Sequence, residues 1–207
     1  MSISTAEVPE TSKMISNRVC GLVSATTYNN MKKPLINSSN NSANPHEVGT
    51  GEINPIKALN PGLVFETTTD NYLEFLCYYG YKAKDIRSMS NTKFNCPKVS
   101  TEELISNINY PSISVSKLNR HQPVMTIKRT ATNVGTPNST YTAKVNAPVG
   151  LVVKVLPEKM VFAQGVRKVS FEVSFYGKEA PTGYSFGSIT WFDGRHSVNT
   201  VFSVNVD

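Results

Sequence analysis

The chain has 207 residues, 39% of them hydrophobic and 17% charged, which is enough for one or two domains with a buried core. The sequence has no apolar run of about eighteen residues, so it predicts no membrane-spanning helix. The formal net charge of +6 comes from 21 basic residues that are scattered along the chain, whereas nucleic-acid-binding proteins gather such residues into one patch. We therefore expect neither a membrane nor a nucleic acid as a partner.

The first residues conflict with three glycosylation motifs further along the chain. Residues 1–10 have neither a basic region nor an apolar core, so they do not resemble a secretory signal peptide. Three Asn-x-Ser/Thr sequons, at Asn37, Asn40 and Asn138, are nevertheless typical of a secreted chain. We therefore expect the sequence to be a piece of a longer protein, with Asn138, beside a predicted turn, as the most accessible sequon.

The chain has three cysteines, which leaves at least one outside any intramolecular disulfide. Cys77 and Cys96 flank a short polar segment, and a disulfide between them would stabilise the fold by about 3 kcal/mol in the chain-entropy model if the compartment is oxidising. Cys20 would then remain. The alternative is three unpaired thiols in a cytosolic protein.

A short helical connector is predicted in the middle of the chain. Residues 48–66 are rich in glycine and proline and read as a set of turns. Asp70 can cap a helix that Gly80 ends, and a second helical turn is predicted near Asp85. The apolar face of the first helix would be formed by Leu73, Phe75, Leu76 and Tyr79.

From Asn109 to the end of the chain, strand patterns recur with turn signals between them. The alternation is clearest at Val169, Phe171, Val173 and Phe175. Seven or eight strands are expected in this part, which is the number in an immunoglobulin-like or fibronectin type III-like β-sandwich.

The last two strands are predicted to form a hairpin around Asp193 and Gly194. Asp-Gly favours a type I′ turn, in which both central residues have positive φ. A two-residue loop would place Phe192 opposite Arg195, Trp191 opposite His196, and Ile189 opposite Val198. We therefore expect Trp191 and His196 to share one buried face of the hairpin.

Several motifs in this part occur in an order that resembles a known family. They are NINYPSI at residues 107–113, RTATNVG at 129–135, PVGLVVKV at 148–155 and FGSITWFDGRH at 186–196. Upstream stand GTG at 49–51, NPIKA at 54–58, PGLVF at 61–65 and DNYLEFLC at 70–77. Together they resemble the C-terminal part of plant subtilases, the subtilisin-like serine proteases, over residues 24–207.

This resemblance implies a mainly β chain in three parts. Residues 1–66 would be a truncated remnant of the C-terminal end of the α/β subtilisin-like peptidase domain. Residues 67–106 would be the helical connector, and residues 107–207 the fibronectin type III-like β-sandwich. In an extracellular setting, the apoplast or cell wall, the resemblance also favours the disulfide between Cys77 and Cys96.

The catalytic residues of the family are not expected in this sequence. A subtilase uses an Asp/His/Ser triad, and its serine normally lies in a Gly-Thr-Ser-Met run that opens a helix. The nearest run here is ETSKM at residues 10–14, in which glutamate replaces the glycine of a tight turn, so Ser12 is not expected to be a nucleophile. The three histidines, His46, His121 and His196, lack acidic residues at zinc-ligand spacing. We therefore predict no catalytic residue, metal or cofactor, and no enzymatic activity for this chain as it stands.

The resemblance implies a non-catalytic part of a secreted endopeptidase. In the family, the sandwich packs on the protease domain and stabilises it, and the substrates are proteins or peptides. Here that domain would be a partner missing in cis or met in trans. One alternative is a regulatory or binding module that pairs with intact subtilases or engages a cell-wall ligand. Another is an active protease whose start has been wrongly assigned.

Overall fold

The computed structural model describes residues 20–121 and 124–207. The helices at residues 45–107 are short because glycine and proline are frequent in this part of the chain. They are α1 (Pro45–Val48), α2 (Pro55–Ala58), α3 (Thr69–Tyr78), α4 (Ala83–Ser90) and a 3-10 helix (Glu102–Asn107).

Two β-sheets, in which most neighbouring strands are antiparallel, form the rest of the fold. Their strands are β1 (Leu63–Val64), β2 (Ser112–Leu118), β3 (Val124–Asn133), β4 (Ser139–Asn146), β5 (Val152–Leu156), β6 (Lys159–Phe162), β7 (Lys168–Tyr176), β8 (Gly183–Phe192) and β9 (Ser197–Val206). One sheet has the order β1-β3-β7-β5 and the other β2-β9-β8-β4-β6. Strands β2 to β9 provide the expected number, and the predicted mainly β sandwich is confirmed.

The core lies between the two sheets and contains the residues that alternate along the strands. Phe171 and Phe175 of β7 are buried, as the period of two predicted. The ring of Phe171 meets that of Trp191 edge-on with the centroids 4.9 Å apart, and Phe175 meets Phe202 at 5.3 Å. These aromatic contacts join the two sheets.

The first strand of the sandwich comes from far upstream of the other strands. Leu63 pairs with Asn133 and Val64 with Thr132 of β3. Phe65 follows them into the core, fully buried, with its ring 6.2 Å from that of Phe171. This differs from the predicted boundary, which left residues 1–66 outside the sandwich, because an apolar run of three residues does not reveal its distant partner.

The hairpin between β8 and β9 forms, but its predicted register is wrong by two residues. Phe192 pairs with Ser197, and Trp191 pairs with Val198. Gly194 has φ 94°, whereas Asp193 does not adopt positive φ. The central residues of the turn are therefore Gly194 and Arg195, with Asp193 before them. A shift of two residues keeps each side chain on its face, so Trp191 is still buried.

The N-cap of the connector helix α3 lies two residues before the predicted one. The hydroxyl of Thr68 accepts a hydrogen bond from the Asn71 amide, and the Asn71 side chain accepts one from the Thr68 amide. This reciprocal pair makes Thr68 the N-cap instead of Asp70. Gly80, with φ 98°, follows the end of the helix as predicted.

Candidate functional site

The features that stand out are the contacts that attach residues 20–67 to the sandwich. We call this set of contacts the junction. It has three parts, which are the contact of His46 with β8 and β9, the cluster around Gly62, and the turn between the 3-10 helix and β2.

His46 joins α1 to the sheet of β8 and β9. Its Nε2 atom lies 2.8 Å from the hydroxyl oxygen of Ser203, within hydrogen-bond distance. The imidazole ring also meets the rings of Tyr184 and Phe186 edge-on, with centroid distances of 4.7 and 4.9 Å. A capping box between Asn44 and Glu47 fixes the short helix that presents this histidine.

The segment before β1 crosses the end of the hairpin through Gly62. The Gly62 carbonyl accepts hydrogen bonds from the amides of Val134 and Gly135, at 2.9 and 3.1 Å. A Cβ atom at Gly62 would lie 2.6 Å from the hydroxyl of Tyr141 and 2.7 Å from Cβ of His196. Only glycine fits this crossing, which also has φ 80°.

A buried polar cluster lies directly beneath Gly62. Asp193 accepts hydrogen bonds from the amides of Arg195 and His196, at 2.9 and 2.6 Å, and its other oxygen lies 2.8 Å from Nδ1 of His196. The hydroxyl of Tyr141 is 3.4 Å from the same ring nitrogen. These contacts explain the observed turn, because they hold Asp193 just before the two central positions, which Gly194 and Arg195 occupy.

Burial and hydrogen bonding oppose each other in setting the pKa of Asp193. Burial raises the pKa, but hydrogen bonds from the His196 side chain and from the His196 and Arg195 amides outweigh it and lower the pKa to about 2. Burial also raises the pKa of Tyr141, and Asp193 raises it further. The side chains of His196 and Asp193 are 8% and 6% exposed, so the pair is enclosed by protein and has a structural role.

The third part of the junction is organised by Arg129, whose role the sequence analysis missed. Its side chain is buried and satisfies four backbone carbonyls, which are those of Ser106, Tyr110, Ser112 and Lys128. Burial lowers the pKa of Arg129 to about 10, so the group stays charged at neutral pH. Two of the motifs in the sequence, at 107–113 and 129–135, thus meet in space.

Asn109 links the segment after β1 to the same turn. Its amide nitrogen donates to the carbonyls of Glu66 and Thr130, at 2.8 and 3.0 Å, and its amide oxygen accepts from the Thr130 amide. The hydroxyl of Thr67 donates to the Asn109 carbonyl at 2.7 Å. These contacts fix the connector at both ends, since Glu66 and Thr67 lie at its start and Asn109 lies just after its end.

The other predicted site residues lie outside the junction. Cys77 and Cys96 are joined by a disulfide across 19 positions of sequence, within the connector. Asn138 and Asn40 are exposed, whereas the side-chain amide of Asn37 donates to Glu47 and accepts from two backbone amides. His121 is exposed on the loop after β2. Ser12 lies outside the described residues.

No helix within residues 20–121 and 124–207 combines the length and the apolar character needed to cross a lipid bilayer.

Comparison with known proteins identifies the sandwich and finds relatives that match most of the chain. The family model of the fibronectin type-III domain matches residues 107–204. The CO(2)-response secreted protease of Arabidopsis thaliana is 37% identical over 183 residues, and the match covers 86% of this chain and 24% of that protein. Subtilisin-like protease SBT1.6 of Arabidopsis thaliana is 38% identical over 188 residues, with 86% and 24% covered.

A third relative comes from another plant. Subtilisin-like serine-protease S of Lotus japonicus is 33% identical over 187 residues, covering 89% of this chain and 24% of that protein. The chain spans about a quarter of the length of these curated relatives. It therefore corresponds to a C-terminal region of the plant subtilisin-like proteases, with a fibronectin type-III domain at residues 107–204.

Proposed function

We propose that this chain is the structural, non-catalytic C-terminal portion of a secreted subtilisin-like serine endopeptidase, and that its sandwich stabilises the protease domain. The observation that carries this proposal is the junction. The segment upstream of the connector adds β1 to the sheet and buries Leu63 and Phe65 in the core of the sandwich. A protease domain continuous with that segment would be tied to the sandwich through shared core packing.

Residues 28–59 present the surface that we assign to the protease domain. Thr26 and Glu52 exchange backbone hydrogen bonds, each 2.9 Å long, which brings the two halves of this segment together. Large apolar side chains in these halves are between 54% and 88% exposed, namely Tyr28, Met31, Ile36, Ile53, Ile56 and Leu59. So many exposed apolar residues in one segment indicate a surface that another protein covers.

The test is to combine the purified chain with the protease domain of a plant subtilase expressed without its C-terminal region. We expect the chain to bind and to slow the thermal inactivation of that domain. Ile56→Asp with Leu59→Asp should abolish both effects, because it places two charges on the proposed surface. Val149→Asp is the matched control, since Val149 is 96% exposed on the loop between β4 and β5. Equal binding by both variants would contradict the proposed surface.

A further inference from the structure

We propose that the C-terminal end of α3 and the turn that follows it form a binding platform for a neutral polysaccharide. Three aromatic rings follow one another there. The centroids of Phe75 and Tyr79 are 6.2 Å apart with the ring planes inclined by 26°, and those of Tyr79 and Tyr81 are 6.3 Å apart with an inclination of 23°. Tyr79 and Tyr81 are 64% and 47% exposed.

Two nearly parallel exposed rings, Tyr79 and Tyr81, with the half-buried Phe75 beside them, suit the flat apolar faces of pyranose sugars. The C–H groups on one face of a sugar pack against an aromatic ring, while its hydroxyl groups remain free to bind polar partners. Tyrosine is well suited to this contact because it combines an apolar ring with a hydroxyl group. Rings that follow one another along the surface offer successive contacts to the successive sugars of a chain.

The backbone holds this platform in place before any ligand binds. The amide of Tyr81 donates to the Leu76 carbonyl and that of Gly80 to the Cys77 carbonyl, both at 3.0 Å, which is the hydrogen-bond pattern of a Schellman motif. Beneath the turn, Cys77 is bonded to Cys96, and Ile86 of α4 is fully buried. Little backbone entropy is therefore lost on binding.

Polar groups beside the rings indicate the chemistry of the ligand. A shallow cavity of about 310 Å³ is lined by Tyr79, Gly80, Tyr81, Lys82 and Asp85. Lys82 offers hydrogen-bond donors and Asp85 offers acceptors, as the hydroxyl groups of a sugar require. One cation and one anion in the lining favour a ligand without net charge.

A sugar fits this lining better than the side chains of a protein partner. Protein interfaces centre on apolar side chains that fill well-packed pockets. The cavity has no aliphatic hydrophobic residue in its lining, and the two hydrophobic residues that line it are Tyr79 and Tyr81. This inference goes beyond the proposed function and does not rest on it.

Native affinity electrophoresis of the full chain tests the platform. Gels contain hydroxyethyl cellulose, xyloglucan or the anionic polygalacturonate, and retardation is measured against polymer concentration. We expect a neutral polymer to retard the chain, and Tyr79→Ala or Tyr81→Ala to weaken its affinity about tenfold, the scale of one aromatic contact. Tyr79→Phe, which keeps the ring, should retain most of the affinity. Tyr28→Ala is the control, since Tyr28 is 54% exposed elsewhere on the surface.

Four results would overturn the proposal. The first is the absence of retardation by either neutral polymer. The second is equal retardation of the Tyr79→Ala and Tyr28→Ala variants. The third is retardation by polygalacturonate alone, which would reflect the net charge of +6. The fourth is protection of Tyr79 and Tyr81 from iodination by a subtilase protease domain without any retardation in the gels, which would assign the platform to a protein partner.

Discussion

Nδ1 of His196 lies 2.8 Å from Oδ2 of Asp193, at the point where the segment before β1 passes over the last hairpin. Both side chains are almost fully enclosed, and Gly62 lies directly on the imidazole. This pair connects the turn of the hairpin to the junction. The ionisation of Asp193 and its contact with His196 should therefore affect the stability of both.

Asp193→Asn should destabilise the protein in a pH-dependent way. The pKa of Asp193 is lowered to about 2 in the fold, below its unfolded value near 4, so ionised Asp193 stabilises the fold above about pH 4 and this contribution is lost as the pH falls toward 2. We expect the variant to lose on the order of 1–2 kcal/mol at pH 7, with the difference from the wild type shrinking below pH 4. Urea unfolding at several pH values measures this. Asp207→Asn, at a more exposed carboxylate, should show a smaller effect, and a difference that does not change with pH would contradict the assignment.

Gly62→Ala should weaken the junction. The new methyl group would meet Tyr141 and His196 at less than 3 Å, and the backbone would be strained by its positive φ. We expect a loss of roughly 2–4 kcal/mol in the free energy of unfolding. Gly165→Ala is the matched control, because Gly165 has φ 83° but open space around it, and its loss should be only about 1 kcal/mol. Equal losses in the two variants would show that the positive φ of Gly62, and not its contact with Tyr141 and His196, is the reason that alanine destabilises the protein there.

Phe65→Ala should destabilise the sandwich although Phe65 lies outside residues 107–204. The side chain is fully buried against Phe171, so its removal leaves a cavity that costs about 3–5 kcal/mol. Unfolding followed by the fluorescence of Trp191, which also contacts Phe171, reports on the sandwich itself. Phe192→Ala, at a half-exposed ring, should have little effect. A Trp191 transition that is unchanged in Phe65→Ala would show that β1 is dispensable.

Arg129→Lys should be poorly tolerated even though it keeps the charge. A single ammonium group cannot satisfy the four carbonyls that the planar guanidinium contacts, so buried acceptors lose their partners. We expect a loss of at least about 3 kcal/mol in the free energy of unfolding and faster hydrogen exchange at the start of β2. Arg195→Lys, at an exposed position, serves as the control. Similar stabilities for the two variants would contradict the role of Arg129.

The three sequons should differ in occupancy when the chain passes through a secretory pathway. Asn138 is exposed, whereas the amide of Asn37 is engaged with Glu47 and with two backbone amides. We expect Asn138→Gln to remove one glycan, seen as a mobility shift that glycosidase treatment abolishes, and Asn37→Gln to change little. The reverse pattern would show that folding does not govern modification here.

The class of the fold can be predicted from the pattern of residues along the chain. The alternation of Val169, Phe171, Val173 and Phe175 predicts a strand with one buried face, because side chains of a strand alternate between the faces of a sheet. The same rule placed Trp191 in the core correctly, since an error of two residues in register leaves the face unchanged. The glycine at position 80 marked the end of α3 because few other residues adopt its backbone conformation.

The contacts between distant parts of the chain cannot be predicted from local patterns and are seen in the folded structure. Whether Asp193 lies before the turn or inside it depends on its bonds to His196, which a local pattern of Asp-Gly does not contain. The partner of Leu63 is Asn133, seventy positions away, and two of the acceptors of Arg129, the carbonyls of Tyr110 and Ser112, belong to a different motif. Such contacts depend on which groups are brought together when the core forms. The local sequence indicates only the conformational preference of each segment.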